Sequence, residues 1–225
     1  MYRTQFASFH TYQHLRPEQV ADPYQTARSW FTQWLYIDIK YNLQWWFETS
    51  LGKEIWPQGD ASYLLEFYDT FIMAIEGAHL MNELFNLDRA AVLKTKKSET
   101  EIFQSPHLFC ENGSQHDPFT YFPRSLTLEE FHNPYTVFTH FFTLHDLKAW
   151  KMLLYILMNM SLTEELPTHS IDNYNLQVCR LQLDKLADAM HLIYVREYPR
   201  PAEALARTAG IRKPGMTQYK PKAAD

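Results

Sequence analysis

The stretch "DPYQTARSWFTQWLYIDIKYNLQWWFETSLG", Asp22 to Gly52, decides the fold class. It opens with an N-cap candidate, Asp22, followed by Pro23, whose fixed φ suits the first helical position. Apolar residues then recur at three- and four-residue spacing (Ala27, Phe31, Trp34, Tyr41, Trp45), the period of one helix face. Gly52 is the natural stop. The stretch therefore predicts one long helix to about Ser50.

Three further segments read the same way. "GDASYLLEF" starts a helix at Asp60 that runs to about Phe85. "HNPYTVFTHFF" starts another at Asn133 and Pro134 that runs to about Leu162. A fourth follows "LPTHSIDNY" and ends near Tyr198, where Pro199 and Pro201 stop it. At a rise of 1.5 Å per residue each is about 40 Å long. The links between the first and second helices, and between the third and fourth, are short, which makes antiparallel neighbours. The expected fold is all-α: a bundle of four long antiparallel helices.

The link between the second and third helices is different. Residues 86–132 have no clear period and are rich in proline, serine and aromatic side chains. Such a length is unusual for a structureless loop, so part of it should pack on the bundle, with one short helix at "SLTLEEFH". No internal repeat is evident. The bundle domain is read as residues 1–198, with an insertion at about 86–132. Residues 199–225 are read as a flexible, proline-containing tail. Residues 196–225 hold seven basic and three acidic residues, a net of +4 that leaves −9 for the rest.

Composition bounds the function. The chain has 225 residues, 46% hydrophobic and 16% aromatic, with only six glycines, which argues for a packed domain rather than disorder. Its formal net charge of −5 disfavours nucleic acid as a bulk partner. Nucleic acid remains open only through Arg207, Arg212, Lys213, Lys220 and Lys222 of the tail. Two distant cysteines, Cys110 and Cys179, make neither a disulfide framework nor a zinc knuckle. No secretory h-region and no membrane span is apparent, so the expected location is cytoplasmic.

Two short motifs carry the candidate chemistry. "AIEGAHLMNE" places Glu76 three residues before His79, and "LADAMHLIY" places Asp188 three residues before His191. In spacing, a carboxylate-x-x-His on a helix resembles the paired ligands of ferritin-like di-iron bundles. Asp38, or Glu48, on the first helix and His145, or Asp146, on the third would supply the single ligands. Such a site would hold iron or manganese and act as an oxidoreductase. A mononuclear site from Asp38, His79 and His145 is the smaller version.

Random placement alone gives about one acid-x-x-His pattern, and three occur, Glu129/His132 being the third. Helical phase also separates the pairs. His79 extends the apolar face of its helix, whereas Glu76 falls at the border and Asp188 further out, both expected in water. Asp38 falls in the middle of an apolar face, where a carboxylate needs a partner. The reading without metal makes His79, His145 and His191 core-edge residues bonded to buried groups such as Asp38.

Other chemistries are weaker. No nucleophile elbow, zinc-protease, phosphate-loop or dinucleotide fingerprint is present. Cys110 could be a nucleophile with His107 or His116. The Arg3–His10 spacing resembles that of helical ribonuclease domains but precedes the first helix. The leading expectation is an interaction protein. Its aromatic surface (Tyr36, Leu43, Trp46) would bind a protein partner, a second copy or an apolar ligand.

Overall fold

The structure, a computed structural model, describes residues 12–52, 56, 60–84, 91–111, 116–163 and 173–197. Among these the fold is all-α. The helices are α1 (Pro17–Ala21), α2 (Tyr24–Gln33), α3 (Tyr36–Leu51), α4 (Ala61–Leu84), α5 (Glu99–Phe103), α6 (Leu128–His132), α7 (Tyr135–Leu144), α8 (Leu147–Leu162) and α9 (Asn173–Glu197). Short 3₁₀ turns at Pro106–Leu108 and Pro118–Tyr121 complete them.

The second and fourth expected helices are continuous, as α4 and α9. The first and third are each broken in two. Trp34 and Leu35 are extended between α2 and α3, and His145 and Asp146 between α7 and α8. Asp146 explains the second break: its carboxylate accepts from Ala149 N–H at 2.7 Å, capping α8 afresh. At the first break the Trp34 ring turns into the core, edge-on to Tyr63 and Phe67. No glycine or proline marks either break, so apolar periodicity alone runs through both.

The expected caps hold in the side chains. Asp22 accepts from Tyr24 N–H at 3.3 Å, Asn133 from Tyr135 N–H at 3.2 Å, and Asp60 from Ser62 N–H at 2.8 Å. The insertion contains α5, both 3₁₀ turns and α6, and much of it packs on α9. Arg196 holds it there, donating to the carbonyls of Ala91, Leu108 and Phe131 and lying 4.5 Å from the Phe131 ring centroid. Tail residues Arg207, Arg212, Lys213, Lys220 and Lys222 lie outside the described residues.

The elements repeat, contrary to the reading of the sequence. α1, α2 and α3 begin at Pro17, Tyr24 and Tyr36, and α6, α7 and α8 begin at Leu128, Tyr135 and Leu147. The offset in numbering is the same for all three pairs, and so are the helix lengths. α4 and α9, beginning at Ala61 and Asn173, follow the same offset to within one position. The packing repeats too: α2 contacts α4 and α9, α7 contacts α9 and α4, and α3 and α8 pack on each other. The low sequence similarity had hidden this, because residues 23–51 and 134–162 share only eight identities in 29 gapless positions.

α3 and α8 approach closely because serines stand at the crossing. Ser50 and Ser161 are buried, their hydroxyls 2.9 Å apart, and each also bonds a carbonyl within or across the pair. α2 and α4 approach closely for a different reason. A Cβ built on Gly77 would lie 2.6 Å from the Thr26 side chain. Gly77→Ala should therefore destabilise the protein by about 1–3 kcal/mol, despite alanine's better helix propensity. Urea denaturation of the two proteins measures the difference.

Candidate functional site

The acids of the two carboxylate-x-x-His motifs are densely bonded polar centres of the core. The structure reverses the expectation for their acids: neither Glu76 nor Asp188 is in water, and both are fully buried. Glu76 Oε1 accepts from Gln13 N–H at 3.1 Å, and Oε2 from His14 N–H at 2.9 Å. The Lys151 ammonium contacts Oε1, and the His14 ring stands 3.4 Å away. Burial pushes the Glu76 carboxyl up, but the bonds from His14 and Lys151 outweigh it and hold it below its ordinary value.

Asp188 is built the same way. Oδ1 accepts from Tyr36 O–H at 2.7 Å and from Lys40 at 2.8 Å. Oδ2 accepts from Ser125 N–H at 3.0 Å and from its hydroxyl at 2.6 Å. Lys40 also meets Asp184 at 2.8 Å. Burial pushes Lys40 down, but the two carboxylates win and hold it charged. The Tyr36 phenol is pushed far up by burial and then by Asp188, so it stays a donor.

The histidines sit one turn further along. His79, half-buried, bonds Tyr12 O–H through Nδ1 at 2.7 Å and faces Glu83 at 3.4 Å. Phe142 stands edge-on to its ring at 4.8 Å. Burial lowers the His79 pKa, against the opposing pull of Glu83. His191 is buried and stacks on Tyr36 at 4.2 Å, with Phe31 edge-on at 5.3 Å. Its Nε2 bonds Phe109 O at 2.9 Å. Burial depresses its pKa to about 4, so it is neutral at pH 7.

The remaining candidates are dispersed. Asp38 is exposed in the first turn of α3, so both roles assigned to it fail. The break at Trp34–Leu35 resets the helical phase by which it had been placed among the aromatics. His145 occupies the α7–α8 break, half-buried, its Nε2 3.7 Å from Cys179 Sγ and its ring edge-on to Trp150. Among the described residues no group of three or more His, Cys, Asp or Glu side chains is arranged to hold a metal ion. The donors expected for iron or manganese are turned to other bonds: Glu76 and Asp188 hold lysines and backbone amides. Cys110 and Cys179 are both buried outside any disulfide.

The expected partner surface is also corrected. Tyr36, Leu43 and Trp46 are 4%, 0% and 0% exposed. Trp46 stands edge-on to Phe67 and Phe71, and Tyr36 covers His191. The outer faces of α3 and α8 instead carry Tyr41, Met152 and Tyr155.

Comparisons with protein-family models, curated proteins and solved structures return no match. No helix among the described residues is long and apolar enough to cross a membrane.

Sequence reasoning missed Lys40, Lys151, His14 and Ser125. The two lysines carried a signal. Each is flanked on both sides by large apolar residues, Lys40 by Ile39 and Tyr41 and Lys151 by Trp150 and Met152. They also hold the same place, the fifth position, in α3 and α8. Removing one cation leaves a buried carboxylate uncompensated. Lys151→Met should cost about 3 kcal/mol, whereas exposed Asp38→Ala should stay within about 0.5 kcal/mol. Chemical denaturation of both variants at pH 7 tests the contrast.

His191 adds a pH dependence. Its folded value, about 4, lies below the ordinary value near 6.5, so the unfolded chain takes up a proton first. Its contribution to stability is intact above pH 6.5 and falls by roughly 3 kcal/mol as the pH drops to about 4. Glu76, depressed as a carboxylate, keeps its contribution above its ordinary value and loses it at lower pH. Stability measured from pH 7.5 to 4 should fall, and His191→Phe should flatten the slope between 6.5 and 4.

Proposed function

We propose that this chain is an interaction protein that docks a second copy of itself through the outer faces of α3 and α8. The observation that carries this reading is the pair Tyr41 and Met152. They hold equivalent positions in α3 and α8, and are 51% and 54% exposed. Tyr155, one turn beyond Met152, is exposed as well, and Trp45 lies edge-on to Tyr41. Large apolar side chains at matched places on two paired helices are the composition of an interface core.

The flanking charges favour a second copy as the occupant. The α3 face exposes Asp38 and Glu48 beside Tyr41, and the α8 face exposes Lys148 beside Met152. When α3 of one copy lies on α8 of the other, acid meets base, and the same contact recurs on the far side of the pair. The contact is then isologous and closes as a dimer. The internal bonding of the Glu76 and Asp188 carboxylates, each filled by a lysine and backbone amides, also favours binding over catalysis.

Sedimentation velocity across roughly 1–200 μM, a span covering ordinary dimer affinities, tests this. A monomer–dimer equilibrium is expected, weakened at least tenfold by Tyr41→Asp or Met152→Asp. Lys148→Glu should weaken it as well, and Asp38→Lys in the same chain should restore it. A chain that stays monomeric throughout, or a dimer indifferent to all of these changes, overturns the reading.

A further inference from the structure

We infer that the chain is two copies of one helical unit in tandem, residues 12–84 and 123–197, docked on each other as the subunits of a symmetric dimer dock. In this arrangement the carboxylate-x-x-His motif of each unit is the receptor for a phenylalanine and a lysine of the other.

The element register supplies the first support, and the contacts supply the rest. Each motif receives its partners from the opposite unit. Glu76 takes Lys151 and His79 takes Phe142, both from the second unit. Asp188 takes Lys40 and His191 takes Phe31, both from the first. Lys40 and Lys151 are equivalent under the offset that carries α3 onto α8, as are Phe31 and Phe142, and within each pair the residue type is identical. Phenylalanine precedes lysine by nine positions in both units, across the helix break. The two contacts are therefore one contact made twice in reciprocal directions.

Equivalent residues of a two-fold pair can touch each other only at the axis. Two such pairs do. Ser50 meets Ser161 where α3 and α8 cross, and Tyr24 meets Tyr135, edge to face at 6.4 Å. Around the first point the bonds are reciprocal as well: Ser50 Oγ to Leu157 O, and Ser161 Oγ to Trp46 O.

Each receptor also latches the segment that leads into its own unit. The first lead-in, 12–16, is held by Glu76 through the N–H groups of Gln13 and His14. The second, 123–127, is held by Asp188 through the N–H of Ser125. His14 and Ser125 are again equivalent, each standing three positions before the first residue of its unit's first helix, Pro17 or Leu128. Immediately afterwards Arg16 N–H bonds Gln19 and Thr127 N–H bonds Glu130, both at 2.8 Å. A carboxylate can hold backbone amides while buried only if its charge is compensated. The compensating lysine comes from the opposite unit, so each latch closes only when the units are docked.

The latches give a crossed signature that ordinary packing would not. Amide hydrogen exchange is followed in the full chain, in Lys151→Met and in Lys40→Met. Lys151→Met should speed exchange at Gln13 and His14 at least tenfold and leave Ser125 unchanged. Lys40→Met should do the reverse. Equal acceleration of both lead-ins by either variant, or protection by each lysine of its own unit alone, overturns the inference. A second measurement does not depend on the variants being well folded. A protease site placed within residues 85–90 is cut after folding, and the mass is read by light scattering. The cut chain should persist as one particle of intact mass, and the same cut in Lys40→Met/Lys151→Met should separate it at micromolar concentration. Separation of the cut parent chain, or equal persistence of the cut double variant, overturns it.

Discussion

A buried carboxylate needs a cation, and in this chain the cation comes from the other half of the molecule. That constraint organises the fold. Glu76 and Asp188 are each removed from water on one long helix, where an uncompensated charge would cost several kcal/mol. Lys151 and Lys40 meet them from α8 and α3, the two helices that also cross at Ser50 and Ser161. The close crossing and the ion pairs are therefore coupled. A bulkier pair than Ser50 and Ser161 would separate α3 from α8 and draw the lysines away from their acids.

The helix breaks belong to the same constraint. A continuous helix would place Phe31 and Lys40 at fixed relative phase, nine residues or 2.5 turns apart, on nearly opposite faces. The extended residues Trp34 and Leu35 change that relation, and the same unit can then set Phe31 on His191 and Lys40 on Asp188. In the second unit His145 and Asp146 do the same for Phe142 and Lys151. Neither break has a glycine or proline. The Asp146 cap marks the second locally, whereas the first, with no side-chain cap at Leu35, is set by tertiary packing of the Trp34 ring.

This explains what could be read from the sequence and what could not. Asp22, Asp60 and Asn133 announced helix starts because capping is local chemistry, and each side chain does cap. The breaks were not legible, although Asp146 carried a capping signal that apolar periodicity masked. Several phase assignments carried across the first break then went astray. Asp38 was expected among aromatics and stands in water, and Tyr36 and Trp46 were expected at the surface and lie in the core. Glu76 and Asp188 failed for another reason. An acid at the edge of an apolar face goes to water by default, and only a neighbouring helix bearing a lysine reverses that. Single-helix reasoning contains no neighbouring helix.

The repetition of the carboxylate-x-x-His motif is legible in the sequence, and the structure gives it a different meaning. Read as ligands, the acid and the histidine had to point at one shared atom. In the structure they point at two different side chains of the opposite half: the acid at an ammonium, the histidine at the edge of a phenyl ring. Spacing of three serves both purposes, because it stacks two side chains one turn apart on one face. A metal site needs more donors to converge, whereas a docking receptor needs one charged and one flat surface side by side. Among the described residues the donors do not converge. The charged and flat surfaces are both present, twice, and each is filled from across the pseudo-two-fold axis.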